Sequence, residues 1–261
     1  MKRTLIAIVA LGALYAILAY IVLPAAWTHH ERQPGLANRS MLTVTRQGIP
    51  GDPINVGFVG DREDIVRAMR EAGWFAANDV TLRSSIAIIG SVLLDRPYKA
   101  APVSALFYEG RPEDLAYEKL DGVSAARRHH VRLWRVLDVG LEGRPIWLAA
   151  STYDRGVGLS RYTGQVTHHI APDIDRERNF LTNDLMNAGL VETQYELSGA
   201  GPTLIGRNGE GDRYQTDGEI WIVQLTVKGQ KRAEPPVILD SPTLAQVKNA
   251  IWKALMDAIA Q

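Results

Sequence analysis

The sequence predicts an α+β protein: an N-terminal transmembrane helix followed by one mainly antiparallel sheet with helices packed on one face. Three observations carry this prediction. An uncharged run from Thr4 to Leu23 is long enough to cross a hydrocarbon core. Two stretches with helical spacing and capped ends, at 61–73 and 173–189, stand among segments whose apolar period is two. Four of those period-two segments succeed one another between 104 and 152 before the next helix begins, which suits antiparallel pairing.

The first element is the apolar run, preceded by Lys2 and Arg3. A cleaved signal peptide has a shorter apolar region, about 7–15 residues, and small residues at alternate positions before the cut. Leu23-Pro24-Ala25-Ala26-Trp27 fits that poorly, so residues 1–27 read as an uncleaved anchor. The basic flank favours a cytoplasmic N-terminus. The expected location is the inner (cytoplasmic) membrane, single-pass, with everything after Trp27 in the periplasm or outside. Trp27, His29 and His30 suit the headgroup interface.

Residues 28–53 are rich in turn formers and read as a linker holding one short strand. The folded domain is expected over 54–230. It opens with a strand from Asn55 to Val59 and a helix capped by Asp61, with Ile65, Met69 and Ala72 on one face and Gly73 at its end. A second helical pattern carries Leu82, Ile86, Ile89 and Leu93. Strands follow near 104–109, 114–120, 127–138 and 145–152, then from Gly164 to Ile170. Asp173 or Asp175 caps a helix through Ala188, closed by Gly189, and strands at 191–197 and 219–227 complete the domain. Residues 231–261 form a charged spacer and a helix whose stripe of Leu244, Val247, Ile251, Leu255 and Ala258 docks on the domain.

Charge and cysteine content narrow the function. The 261 residues include 29 Lys+Arg, 29 Asp+Glu and no cysteine. Thiol catalysis, Cys-ligated metals and a disulfide scaffold are excluded. Zero net charge gives no broad attraction to nucleic acid, and none is expected as a partner.

Three constellations stand out. On the strand Arg127 to Trp134, alternation places Arg128, His130, Arg132 and Trp134 on one face. Two guanidiniums flanking an imidazole suit a phosphate or carboxylate, because their planar forks donate paired hydrogen bonds. A solvated face is the plainer alternative. In Thr167 to Arg178, a strand bearing His168 and His169 runs into a helix start bearing Asp173 and Asp175. Imidazole and carboxylate bind divalent ions, but no HExxH spacing occurs and capping explains the aspartates. No metal and no cofactor is therefore expected, and His168 or His169 reads better as a general base or substrate hydrogen-bonder.

The stretch 201–218 separates two strands without an apolar period and contains Arg207, Asn208, Asp212, Arg213, Tyr214 and Asp217. It reads as a structured loop closing over a polar site, with an elaborate hairpin as the alternative. Asp154 follows a strand taken to end at Ser151-Thr152, where it orients a histidine or starts a turn. A triad of Ser151, His168 and Asp154 lacks the Gly-x-Ser-x-Gly elbow and is rejected.

Several ordered segments together resemble the LssY C-terminal domain family of bacteria: Ile49 to Val56, Ala72-Gly73-Trp74, Ala101 to Ser104, Arg128 to Trp134, Thr167 to Asp175, Gly206-Arg207-Asn208 and Asp217-Gly218-Glu219. The likeness runs from Ile49 to Trp221. It implies a bacterial envelope protein; other members are fused to multi-pass membrane domains, some similar to DedA proteins or lipid-phosphate phosphatases. The family has no established activity, so no catalytic residue is carried over.

Three functional expectations result. The leading one is a membrane-anchored envelope protein that binds an anionic ligand, a phosphorylated lipid or glycan, through Arg128, Arg132, Trp134, Arg207, Asn208, Asp212, Arg213 and Asp217. The second is a hydrolase of a phosphate-bearing envelope substrate using His130 and His168 with Asp154 or Asp212. The third is a non-catalytic assembly module of an export apparatus, with a membrane-protein partner on the last helix.

Overall fold

The computed structural model describes residues 2–22, 33, 35–36, 39–77, 106–122, 127–162, 164, 166–198, 201–202, 204–241 and 243–259. Helix α1 spans Lys2–Ile17 and runs on into a π-helical turn, Leu18–Val22. Over these 21 residues the most apolar 18-residue window has a mean hydropathy of 2.6 and none of it is buried in the protein, so the helix is long and apolar enough to cross a membrane. The second helical pattern, at 82–93, lies outside the described residues, as do Trp27, His29 and His30.

The folded part begins with a hairpin, β1 (Leu42–Val44) and β2 (Pro50–Pro53), where one short strand was expected in a linker. Gly48, at φ +77°, supplies the left-handed turn between them. Next come β3 (Val56–Val59), α2 (Arg62–Glu71), β4 (Phe75–Ala76), β5 (Phe107–Tyr108), β6 (Arg111–Pro112), β7 (Leu115–Leu120), β8 (Arg128–Leu137) and β9 (Ile146–Leu159). Then follow β10 (Val166–Ile170), α3 (Ile174–Asn187), β11 (Val191–Ser198), β12 (Ile205–Arg207), β13 (Arg213–Gln215), β14 (Glu219–Leu225), β15 (Val237–Leu239) and α4 (Thr243–Ile259).

Among the described residues the main sheet has nine strands in the order β15-β11-β14-β3-β9-β8-β7-β4, with β10 joined to β9. Only β15–β11 and β14–β3 pair in parallel; the rest are antiparallel, which makes the class α+β. Period-two patterning separates two cores. On one side, Val56, Phe58, Val131, Leu133, Trp147 and Ala149 pack with Ile65 and Met69 of α2 and Leu181 and Leu185 of α3. On the other, Trp134, Ile146, Leu148, Ala150 and Ile222 pack with Leu106 and Tyr108 of a small sheet, β2-β1-β5-β6.

Both inner helices stop by the same chemistry. Gly73 and Gly189 take φ +82° and +72°, and the following amides, Trp74 and Leu190, reach back to the Met69 and Leu185 carbonyls. At their starts they differ. Asp61 makes no side-chain cap bond, whereas the Asp173 carboxylate accepts from the Arg176 amide.

Two expectations are corrected. Strand β9 does not end near Thr152 but continues to Leu159, so Asp154 is a mid-strand residue. Gly158 sits where the His169 ring covers the strand. A Cβ there would lie 2.5 Å from Nε2 of His169. The last helix docks through a different face from the one expected. Trp252 donates to the Thr216 carbonyl, Asn249 to Glu196, and Lys248 pairs with Glu219, while Val247, Ile251 and Leu255 face outward. Acceptors at Glu196 on β11, Glu219 on β14 and the Thr216 carbonyl between β13 and β14 engage the polar side of the helix.

Candidate functional site

The sheet register builds the site. On β8, Arg128 lies opposite Asp154 of β9 and His130 opposite Thr152, which makes His130 and Asp154 diagonal neighbours on one face. Beyond this point β9 pairs with β10, and the register slips between His169 and Ile170, leaving Arg155 as the extra residue. This bulge re-aims the strand so that His168 arrives on the side of Asp154. His130 Nε2 stands 2.7 Å and His168 Nδ1 3.2 Å from the same oxygen, Oδ2 of Asp154. The two imidazole centroids are 6.3 Å apart. His130 and Asp154 are buried, and the His168 side chain, 21% exposed, is the outlet to solvent.

Burial pushes the Asp154 carboxyl up, but His130 and His168, with Arg132 behind them, outweigh it and hold the group below its ordinary value. Burial lowers the His168 imidazole against the pull of Asp154, and the nearby cationic groups add to the lowering. Around neutral pH the geometry therefore presents a carboxylate beside a neutral imidazole. The ligand atoms of His130, Asp154 and His168 all lie within 4.8 Å of one another, a spacing that a metal ion can bridge. The sequence spacing gave no such indication; the three-strand register supplies the proximity.

The arginines of this face are occupied. Arg128 meets Glu118 at 2.9 Å with both side chains fully buried, and Arg132 meets Asp52 at 3.2 Å and Glu113 at 3.9 Å. Asn208 donates to the other oxygen of Asp52 at 3.2 Å. Burial raises the Asp52 carboxyl, opposed chiefly by Arg132. Trp134, expected on a ligand-facing side, is fully buried against Tyr108. Three carboxylates (Asp52, Glu113 and Glu118) thus face two guanidiniums, with the Asp154 carboxylate held beside them by His130.

The 201–218 stretch is a hairpin of β12 and β13 rather than an irregular lid. Arg207 donates to the Gly211 carbonyl within it, and Arg213 lies opposite Arg207 with an exposed side chain. Asn208 Oδ1 accepts from the Glu210 and Asp212 amides, which frees its Nδ2 for Asp52. Asp212 is taken by His169 at 2.9 Å and by the Ile170 amide, so it supports β10 and does not join His130 and His168. Asp217 receives both Arg178 terminal nitrogens, at 2.8 and 2.9 Å, away from the histidine group.

Sequence reasoning passed over Asp52, Glu113, Glu118 and Glu177. Asp52 stood within one of the resembling segments, but nothing local ties it to a strand 80 residues on. His129, on the opposite face of β8, stacks on Phe180 at 3.9 Å between centroids and meets Glu177 at 2.8 Å. That group belongs to the seam between sheet and α3.

Asp175 carries a pH prediction. Its oxygens accept from Thr216 Oγ1 and the Asp217 amide, and burial, with Asp217 adding to it and Arg178 opposing, pushes it up to about 6. The folded value lies above the unfolded one, about 3.9. Between the two, the folded chain holds more protons, so this group's contribution to stability falls as pH rises through that window. Denaturation midpoints from pH 4 to 7 should show that slope in the parent chain and a flatter one in Asp175→Asn. Equal slopes would remove Asp175 as their source.

Fold and site together define an α+β domain behind an N-terminal apolar helix, with a buried His–Asp–His group where β9 passes from β8 to β10. The chain belongs to the LssY C-terminus family, whose model matches residues 34–220. It matches no curated protein and no solved structure.

Proposed function

We propose that the chain is a membrane-anchored bacterial envelope protein whose His130–Asp154–His168 group hydrolyses a phosphate-bearing envelope substrate. The convergence of these three side chains from three strands, with His168 open to solvent, is the observation that carries the reading. Rigid strands hold such a group in a fixed geometry, as proton transfer requires. Water entering beside His168 gives one proton to the group while its oxygen bonds to phosphorus. The bond from phosphorus to the leaving oxygen breaks, and the proton passes to that oxygen. The anchor keeps the domain at the surface where phosphorylated lipids and glycans lie.

Anion binding without turnover has less support, because Arg128 and Arg132 already face carboxylates. The outward stripe of α4 offers a surface for an assembly partner, with no described contact marking one. The test uses the full chain in detergent with a chromogenic phosphate ester. Asp154→Asn and His168→Ala should each lower kcat/KM by about 10²–10⁴-fold. Circular dichroism checks that both variants fold. Retention of a phosphorylated lipid without turnover, unaffected by Asp154→Asn, would overturn hydrolysis in favour of ligand binding.

A further inference from the structure

We propose that His130 Nε2, Asp154 Oδ2 and His168 Nδ1 are the protein ligands of one divalent transition-metal ion. The inference deepens the hydrolytic reading and rests on it for the ion's use, though not for its binding. The donor set comes first. Two neutral imidazoles and one carboxylate suit zinc and its first-row neighbours, and three protein ligands leave coordination positions for water and substrate. Here those positions face the side on which His168 is open.

Geometry is the second argument. Bonds of about 2.0–2.2 Å in a tetrahedral arrangement place ligand atoms roughly 3.3 Å apart. The His168–Asp154 edge is 3.2 Å; the His130–Asp154 edge, 2.7 Å, has to widen by roughly half an ångström, within the reach of a carboxylate rotation. The bulge at Arg155 is what brings the third ligand to this side, and bulges recur beside functional sites for that reason.

The third argument is independent of the cluster's shape. His130 is 3% exposed, and neither of its ring nitrogens makes a hydrogen bond. Its 2.7 Å approach to Asp154 therefore lacks hydrogen-bond direction. Leaving a buried polar nitrogen unsatisfied is costly, and such groups are uncommon enough to call for a reason. A cation shared between Nε2 and Oδ2 satisfies the nitrogen that faces the cluster and removes the misdirected contact. Charge agrees. Asp52, Glu113, Glu118 and Asp154 outnumber the Arg128 and Arg132 guanidiniums on this face, a balance that suits a bound cation. An ion here would also lower the pKa of a bound water, the property hydrolysis needs.

The test begins with full-length protein in detergent, stripped with chelator and then titrated with Zn²⁺, Mn²⁺ and Co²⁺ by calorimetry and native mass spectrometry. One ion per chain is expected, and the Co²⁺ form should show the visible absorption of a nitrogen- and oxygen-ligated site. Asp154→Asn, close to isosteric, and His168→Ala, at the solvent edge, should each weaken binding at least about tenfold. Asp138→Asn, at a carboxylate 89% exposed just past the end of β8, should not. Less than a tenth of an equivalent bound by the parent chain, with no cobalt spectrum, overturns the proposal whether or not the variants fold. Unchanged affinity in both ligand variants overturns it as well. The two readings fail separately. Tight metal binding without phosphate-ester turnover retires the hydrolase and keeps the ion; turnover unaffected by chelator, with no ion bound, does the reverse.

Discussion

Arg128→Met should destabilise the protein by about 3–5 kcal/mol, the usual cost of removing one partner of a buried ion pair. Arg128 and Glu118 are both fully buried, 2.9 Å apart on neighbouring strands β8 and β7. Methionine keeps much of the side-chain volume, so the loss comes from a carboxylate left in a dry sheet face without the guanidinium opposite it. The companion Arg128→Met/Glu118→Met double variant should regain most of the loss, because paired buried charges replaced together by apolar groups are often neutral to stability. Urea midpoints of the full chain in detergent measure both. The result also separates two roles for Arg128. An anion receptor would lose ligand and keep its midpoint, whereas a structural pair loses its midpoint whatever ligand is present. A shift below about 0.5 kcal/mol, the size expected of a surface substitution, would discard the structural role.

What was legible in the sequence follows the range over which each signal acts. The two inner helices and their glycine stops were readable, because caps, periodicity and φ > 0 at Gly73 and Gly189 are local. The faces of β8 were equally readable. Alternation alone put Arg128, His130 and Arg132 together and His129 opposite, and the paired strands keep that arrangement. What failed depended on partners distant in the chain. By sequence alone the strand before Asp154 ends at Ser151-Thr152, so Asp154 reads as orienting a histidine or starting a turn. Only the ring of His169 lying over Gly158, and the bulge at Arg155, reveal a continuing strand.

The arginines have partners hidden from the sequence for a related reason. Their residue type and spacing suit an anion, but their carboxylates arrive from β2 at Asp52, from β7 at Glu118 and from the turn before β7 at Glu113. A face that reads as basic along one strand becomes acidic when its neighbours are added. The same addition turns two histidine pairs without metal spacing into a three-ligand group. In a mainly antiparallel sheet, site chemistry belongs to the register, and register is set by burial across strands rather than by any one of them.

Deleting residues 2–22 should move the protein from the membrane pellet, where alkaline carbonate leaves the full chain, entirely into the soluble fraction. At 1.5 Å per residue the 21-residue helix is about 31 Å long, matching a hydrocarbon core of about 30 Å. Its most apolar 18-residue window, with a mean hydropathy of 2.6, has no polar face, and none of that window is buried in the fold. A helix apolar all round and unpacked against protein finds its stable place among lipid chains. Length favours an anchor over a leader, since an h-region of about 7–15 residues would leave several of these positions unexplained. The intact mass of the membrane-bound chain should therefore include residues from Lys2 onward; a mass beginning near Trp27 would make the helix a leader and release the domain. By the positive-inside rule, Lys2 and Arg3 predict an N-terminus on the cytoplasmic side. Protease added outside spheroplasts should then digest the folded domain while an N-terminal epitope stays protected. The opposite pattern would put the histidine group in the cytoplasm and deny it an envelope substrate.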